Sequence, residues 1–253
     1  VITLTDQQLI TWLSAFLLPF FRILGMMSSA PVFSNRSFGA RARVALCAAI
    51  ALLVAPFAAP ADPAALTGAA GLGMVAQEVA VGLTIGFVAR LLFTGFEMAG
   101  EIIGLQMGLS FAGFFDPNAG TGNAVGRLVN SVSLLSFVAI NGPLALLAVV
   151  IQSFDWLPAG GSVTDFLATR SPVQLGGELF GLALSLALPF MALLLFVNMA
   201  LGIISRVAPQ FNLFAIGFPI TIAAGLTLLT IGLPMLEAPL ALHLDRLLAH
   251  LSR

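Results

Sequence analysis

Residues 95–122 read GFEMAGEIIGLQMGLSFAGFFDPNAGTG, and this stretch decides what kind of protein the chain is. Its first part is helical in pattern, because Gly100, Gly104 and Gly108 recur every fourth residue and leave one bare face against which a neighbouring helix can pack. From Ser110 the period fails: Phe111, Phe114 and Phe115 alternate with Ala112 and Gly113, and Asp116-Pro117-Asn118 brings turn chemistry that stops a helix. The expectation is a bendable apolar loop carrying three large rings. Irregular backbone in an apolar protein survives where protein covers it or where it lines a cavity. Two readings follow from this stretch, a re-entrant turn packed between helices and a loop that plugs a pore.

The surroundings are those of a membrane. Of 253 residues 59% are hydrophobic and 8% charged, and mean hydropathy is +1.07; a soluble domain carries roughly a quarter charged residues. An all-α, polytopic membrane protein of kinked helices and helical hairpins is expected. Net charge is −1 and every basic residue is arginine, which gives no footprint for nucleic acid. The single Cys47 sits in an alanine-rich run and reads as a buried thiol. Thr5-Asp6-Gln7-Gln8 reads as a capping box that opens the first helix in place of a cleavable leader.

Six apolar stretches can be marked, at about Leu9–Ala30, Val44–Ala59, Leu72–Gly108, Leu128–Phe154, Val173–Ser205 and Phe211–Leu244. All but the second reach the ~20 residues of a membrane span. Pro19, Pro143 and Pro189 lie inside them, and Pro219, Pro234 and Pro239 punctuate the last, so kinked or interrupted helices are expected. Arg22, Glu78, Arg90, Glu97, Glu101 and Glu178 stand among apolar residues, where each needs a partner or water. Glu97 and Glu101 share a face one turn apart, with Arg90 seven positions before; that face suits an internal ion pair or an aqueous channel.

Near the end of the fifth stretch Asn198, Gly202 and Arg206 fall at i, i+4 and i+8 and so form one line. Pro209, Gln210, Asn212, Phe214, Gly217 and Pro219 follow at fixed spacing. On residues alone, Arg206 complements the helix dipole, Pro209 stops the helix and the two amides satisfy a turn.

This run resembles the signature of the FliR family of flagellar export-gate proteins, whose counterparts in virulence secretion are called SctT. Pro31-Val32-Phe33 with Arg41 and Arg43 is similar to the family's first inter-helix turn. Gly100-Glu101 through Gln106-Met107-Gly108 to Asp116-Pro117 is similar to its central loop. Gly39 and Phe211 depart from the pattern, where the family tends to proline and methionine.

The resemblance implies a subunit of the type III export gate in the bacterial inner membrane, within the flagellar basal body. Its implied partners are FliP-like and FliQ-like proteins and an FlhB-like subunit, in one pore-forming assembly that passes unfolded export substrates. It also implies that residues 1–172 are FliP-like, with a plug loop at 106–120, and that 173–253 form a FliQ-like helical hairpin. The plug role falls on Gln106, Met107, Gly108, Phe111, Gly113, Phe114, Phe115, Asp116 and Pro117. Apolar rings close such a pore by dewetting its constriction.

No cofactor, metal or catalytic residue is expected. The chain has no lysine and no phosphate-binding G-x-x-x-x-G-K-[ST], no G-x-S-x-G, and its two histidines, His243 and His250, lie near the C-terminal end. A secondary transporter of a small solute is the alternative, because broken helices and intramembrane carboxylates are also its marks; the chain lacks the internal repeat common there.

Overall fold

The computed structural model describes residues 6–34, 39–56, 69–109, 123–158, 172–208, 216–236 and 238–243. Among these the secondary structure is helical throughout: α1 (Asp6–Ser29), α2 (Ala40–Val54), α3 (Ala69–Gln106), α4 (Ala124–Ala139), α5 (Gly142–Trp156), α6 (Pro172–Val207) and α7 (Phe218–Gly232), with a 3-10 turn at Leu233–Leu236. Three helices are long and apolar enough to cross a membrane, containing Trp12–Ser29, Ala70–Gln106 and Gln174–Val207; counting α4 and α5 as one broken span makes four. The chain is thus a polytopic all-α membrane protein.

Pro19 and Pro189 lie inside α1 and α6. Pro143 and Pro219 stand in the first turns of α5 and α7, where a missing N–H costs nothing because no intrahelical acceptor awaits it. The apolar stretch over Leu128–Phe154, expected to be kinked or interrupted by Pro143, is two helices, broken at Asn141, which adopts the left-handed conformation at φ 58°. Asparagine tolerates that region because its short amide bonds locally.

The chain forms two compact units, which interleave along the sequence: Val1–Arg90 with Asn141–Pro172 and His243–Arg253, and Leu91–Ile140 with Val173–Leu242. In the first unit α1 packs on α2 and α5. Its core holds Leu18, Ile23, Met26 and Met27 of α1 with Cys47 and Ala51 of α2. Glycines set the α1–α3 crossing: a Cβ at Gly82 would collide with the Arg22 carbonyl and the Met26 amide, and one at Gly25 with the Val79 carbonyl. Backbone meets backbone there. A fully buried guanidinium, Arg22, lies at that crossing and binds Glu78 through two N–H···O bonds, Nε to Oε2 at 2.6 Å and Nη2 to Oε1 at 3.0 Å.

In the second unit Phe93 of α3 meets Phe137 of α4 edge to face, with ring centroids 5.1 Å apart, a geometry that sets a positive ring edge on a negative face. Phe96, Ala99 and Ile103 of α3 are buried in this unit, as are Leu182, Ala187 and Leu194 of α6. Gly95 faces Leu182, and Gly232 of α7 is covered by the Phe190 ring.

Candidate functional site at the C-terminal end of helix α3

Helix α3 stops at Gln106, four residues before the sequence pattern fails. The cause is Gly108, whose φ of 81° is a left-handed conformation open to glycine and strained for other residues. Its amide donates to the Leu105 carbonyl at 3.0 Å, closing the helix end, and the Phe218 ring of α7 lies close by.

The peptide groups on either side of Met107 are claimed by two other helices. Asn198 Nδ2 of α6 donates to the Gln106 carbonyl at 3.3 Å, and Thr221 Oγ1 of α7 lies 3.2 Å from the Met107 carbonyl. The Met107 side chain is buried and fills the space in front of Gly225 on α7. These contacts satisfy carbonyls that the end of a helix leaves open.

The far flank of residues 110–122 is fastened as well. Glu101 Oε1 accepts from the Asn123 amide at 2.7 Å, and Asn123 Nδ2 returns a bond of 3.0 Å to the Glu101 carbonyl. Asn123 Oδ1 accepts from Gly126 N at 2.8 Å, which makes it the N-cap of α4. Gly100 and Gly104 allow this approach, one facing Val125 and Gly126 and the other the Asn123 side chain. One turn before Glu101, Glu97 Oε2 faces Asn130 Nδ2 at 3.4 Å. The two carboxylates therefore both turn towards α4.

The structure places the remaining sequence candidates as follows. Glu78 pairs with Arg22 in the first unit. Arg90 and Glu178 are exposed. Asn198 is half-buried at the end of α3, whereas Gly202 has open space before it and Arg206 is exposed on the last turn of α6. Gly217 is buried as the N-cap of α7, and Pro219 lies in its first turn. Phe111, Gly113, Phe114, Phe115, Asp116 and Pro117, like Pro209, Gln210, Asn212 and Phe214, lie outside the described residues. Among the described residues no three of the metal-ligating types His, Cys, Asp and Glu come together.

Sequence reasoning did not find Asn123, Asn130 or Thr221. Asn123 carries a usable signal, an N-cap residue type just ahead of a helical run. Thr221 carries none, since nothing near it in sequence points to residue 107. The site joins two motifs that lie far apart in sequence, the Gln106-Met107-Gly108 block and the Asn198 line.

The description of the family that matches residues 13–247 is bacterial export proteins, family 1. The flagellar biosynthetic protein FliR of Pectobacterium carotovorum subsp. carotovorum is 39% identical over 245 residues, covering 96% of this chain and 93% of that one. FliR of Escherichia coli (strain K12) is 36% identical with the same coverage, and FliR of Bacillus subtilis (strain 168) is 29% identical over 230 residues, covering 89% and 88%.

Proposed function

Because this chain belongs to bacterial export protein family 1, we propose that it is a membrane component of flagellar protein export. It joins FliP-like and FliQ-like chains, with an FlhB-like neighbour, around the passage for unfolded flagellar substrates in the bacterial inner membrane. Residues 1–172 supply the FliP-like part and 173–253 the FliQ-like hairpin. The role is that of a passage wall and closure, not of an enzyme. Residues 106–120 close the idle passage, with Phe111, Phe114 and Phe115 as the dewetting rings.

The observation that supports this most is the double fastening at the end of α3. Asn198 and Thr221 hold residues 106 and 107, and Glu101 holds residue 123. A closure that yields to a substrate and returns needs fixed posts on both sides of it. Partner binding is supported by α6, where Gly177, Gly181 and Gly202 have open space before them beside exposed Phe180, Leu184, Leu195 and Ile203. Glycine faces admit close helix neighbours in membranes.

The test is mild-detergent purification of the tagged full chain together with membrane conductance. Co-purification with FliP-like and FliQ-like chains is expected, as is ion leakage through a complex in which the three phenylalanines are serine. A lone monomer that binds a small solute would instead support a transporter. An intact serine-variant complex that stays electrically tight removes the plug. A complex lost on that substitution means that the rings are packed core, where large-to-small changes cost ~3–5 kcal/mol each.

A further inference from the structure

Helix α1 is the least apolar of the three long spans. Its window, Trp12–Ser29, has mean hydropathy 1.3, against 1.9 for Ala70–Gln106 and 2.4 for Gln174–Val207. Arg22 stands near the middle of that window, and its side chain is only 1% exposed. A carboxylate stranded in lipid neutralises itself by taking a proton; a guanidinium does not. Alone, α1 carries a permanent charge into a layer without water.

Every observed partner of that charge comes from a later helix. Glu78 of α3 receives Nε and Nη2. From α5, Ser153 Oγ accepts from Nη1 at 2.9 Å and the Leu157 carbonyl, just past the helix end, accepts from Nη2 at 3.0 Å. The guanidinium carbon lies over the Phe154 ring, 3.8 Å from its centroid, a cation–π contact. The first of these partners is 56 residues downstream and the last 135.

The backbone fit falls at the same place. Gly82 and Gly86 stand one and two turns beyond Glu78, and a side chain at either would strike α1, at Arg22 and Met26 or at Met26 and Ser29. Ser29 Oγ also reaches the Leu83 carbonyl at 3.1 Å. Helix crossing and charge pairing therefore share one register.

We propose that Arg22 and Glu78 form an insertion lock: α1 stays in the bilayer only when α3 presents Glu78, and α5 then completes the cage. The N-terminal span is thereby made conditional on the rest of its unit. An incomplete chain exposes an unpaired guanidinium and does not hold α1 in place.

The lock is tested in the full chain, co-expressed with its partner subunits, on a Cys47→Ala background with Leu18→Cys as reporter; Leu18 is buried on α1. A membrane-impermeant maleimide should label position 18 at least severalfold faster in Glu78→Leu than in the parent. Arg22→Leu should label less than Glu78→Leu, because the Glu78 it leaves behind can take a proton. The double variant Arg22→Leu/Glu78→Leu should return labelling to within about twofold of the parent, since apolar replacement of both members of a buried pair is tolerated. Shielding of position 18 in Glu78→Leu overturns the lock. A double variant that labels like Glu78→Leu overturns it too, because the defect would then be lost packing rather than an unpaired charge.

Discussion

The Asn123 amide donates to Glu101 Oε1 at 2.7 Å, and Asn123 gives its side-chain N–H back to the Glu101 carbonyl at 3.0 Å. A carboxylate 22 positions earlier in the chain thus acts where a capping-box glutamate would, at the entry of α4. Its charge also suits the positive end of that helix.

Removing this acceptor should be felt in the assembled protein. Glu101→Ala leaves the Asn123 amide unmatched in a part-buried place and should cost about 1–2 kcal/mol. Glu101→Gln keeps an acceptor oxygen and should recover more than half of the loss. Thermal unfolding of the purified complex measures both; equal midpoints for Ala and parent would show that the staple contributes nothing.

Glycines of identical type should differ sharply in tolerance. Gly82→Ala drives a methyl into the α1 backbone, which cannot yield as a flexible side chain can, and overpacking of this kind costs about 1–3 kcal/mol or more. Gly202→Ala meets open space and even gains helix propensity, up to about 1 kcal/mol. Membrane accumulation of the chain expressed alone should fall for the first and hold for the second. The reverse order would mean that the α1–α3 crossing is not set by these glycines.

Arg206 is exposed at the end of α6, so Arg206→Ala should change the chain's own stability by no more than about 0.5 kcal/mol. The yield of the complex with its partners should nevertheless drop if, as we propose, the run from Asn198 through Arg206 to Pro219 serves assembly. Yield at the parental level would end that assignment.

Cys47 should be a poor nucleophile. It is buried on α2, its Sγ lies 3.3 Å from Met27 Sδ, and burial pushes its pKa up to about 11, with Arg43 pulling the other way. Against the ordinary 9.0, that leaves about a hundredfold less thiolate at pH 8. Alkylation should be slower by about that factor in native than in denatured protein. Because the folded pKa is the higher one, the thiol's contribution to stability is complete below pH 9 and fades as pH rises towards 11. Native alkylation at the denatured rate would show the thiol to be accessible.

Hydropathy and proline placement made the helical membrane class readable, and four of the six apolar stretches carry a single helix close to the expected bounds. The interruption expected at Pro143 falls two residues earlier, at Asn141, where the Asn141-Gly142 pair adds its own turn chemistry. The last stretch is divided, as its prolines predict, into α7, a 3-10 turn around Pro234 and a short helical segment at 238–243. Pairings were less legible than elements. Arg22 and Glu78 each announced a need for a partner, but a separation of 56 residues has no periodicity by which to match them. Asn198 and Gln106 were both singled out, and only the fold shows that one amide serves the other's carbonyl.

Helix α3 has 38 residues, which at 1.5 Å each make a rod of about 57 Å. A bilayer's hydrocarbon layer is only about 30 Å thick. Standing upright, the rod would leave nearly half its length outside that layer. More than half of its apolar window is nonetheless already covered by the chain itself. Its length is therefore measured against protein as well as lipid, and on the function proposed above, shortening it by whole turns should shift where the passage closes while leaving the span intact.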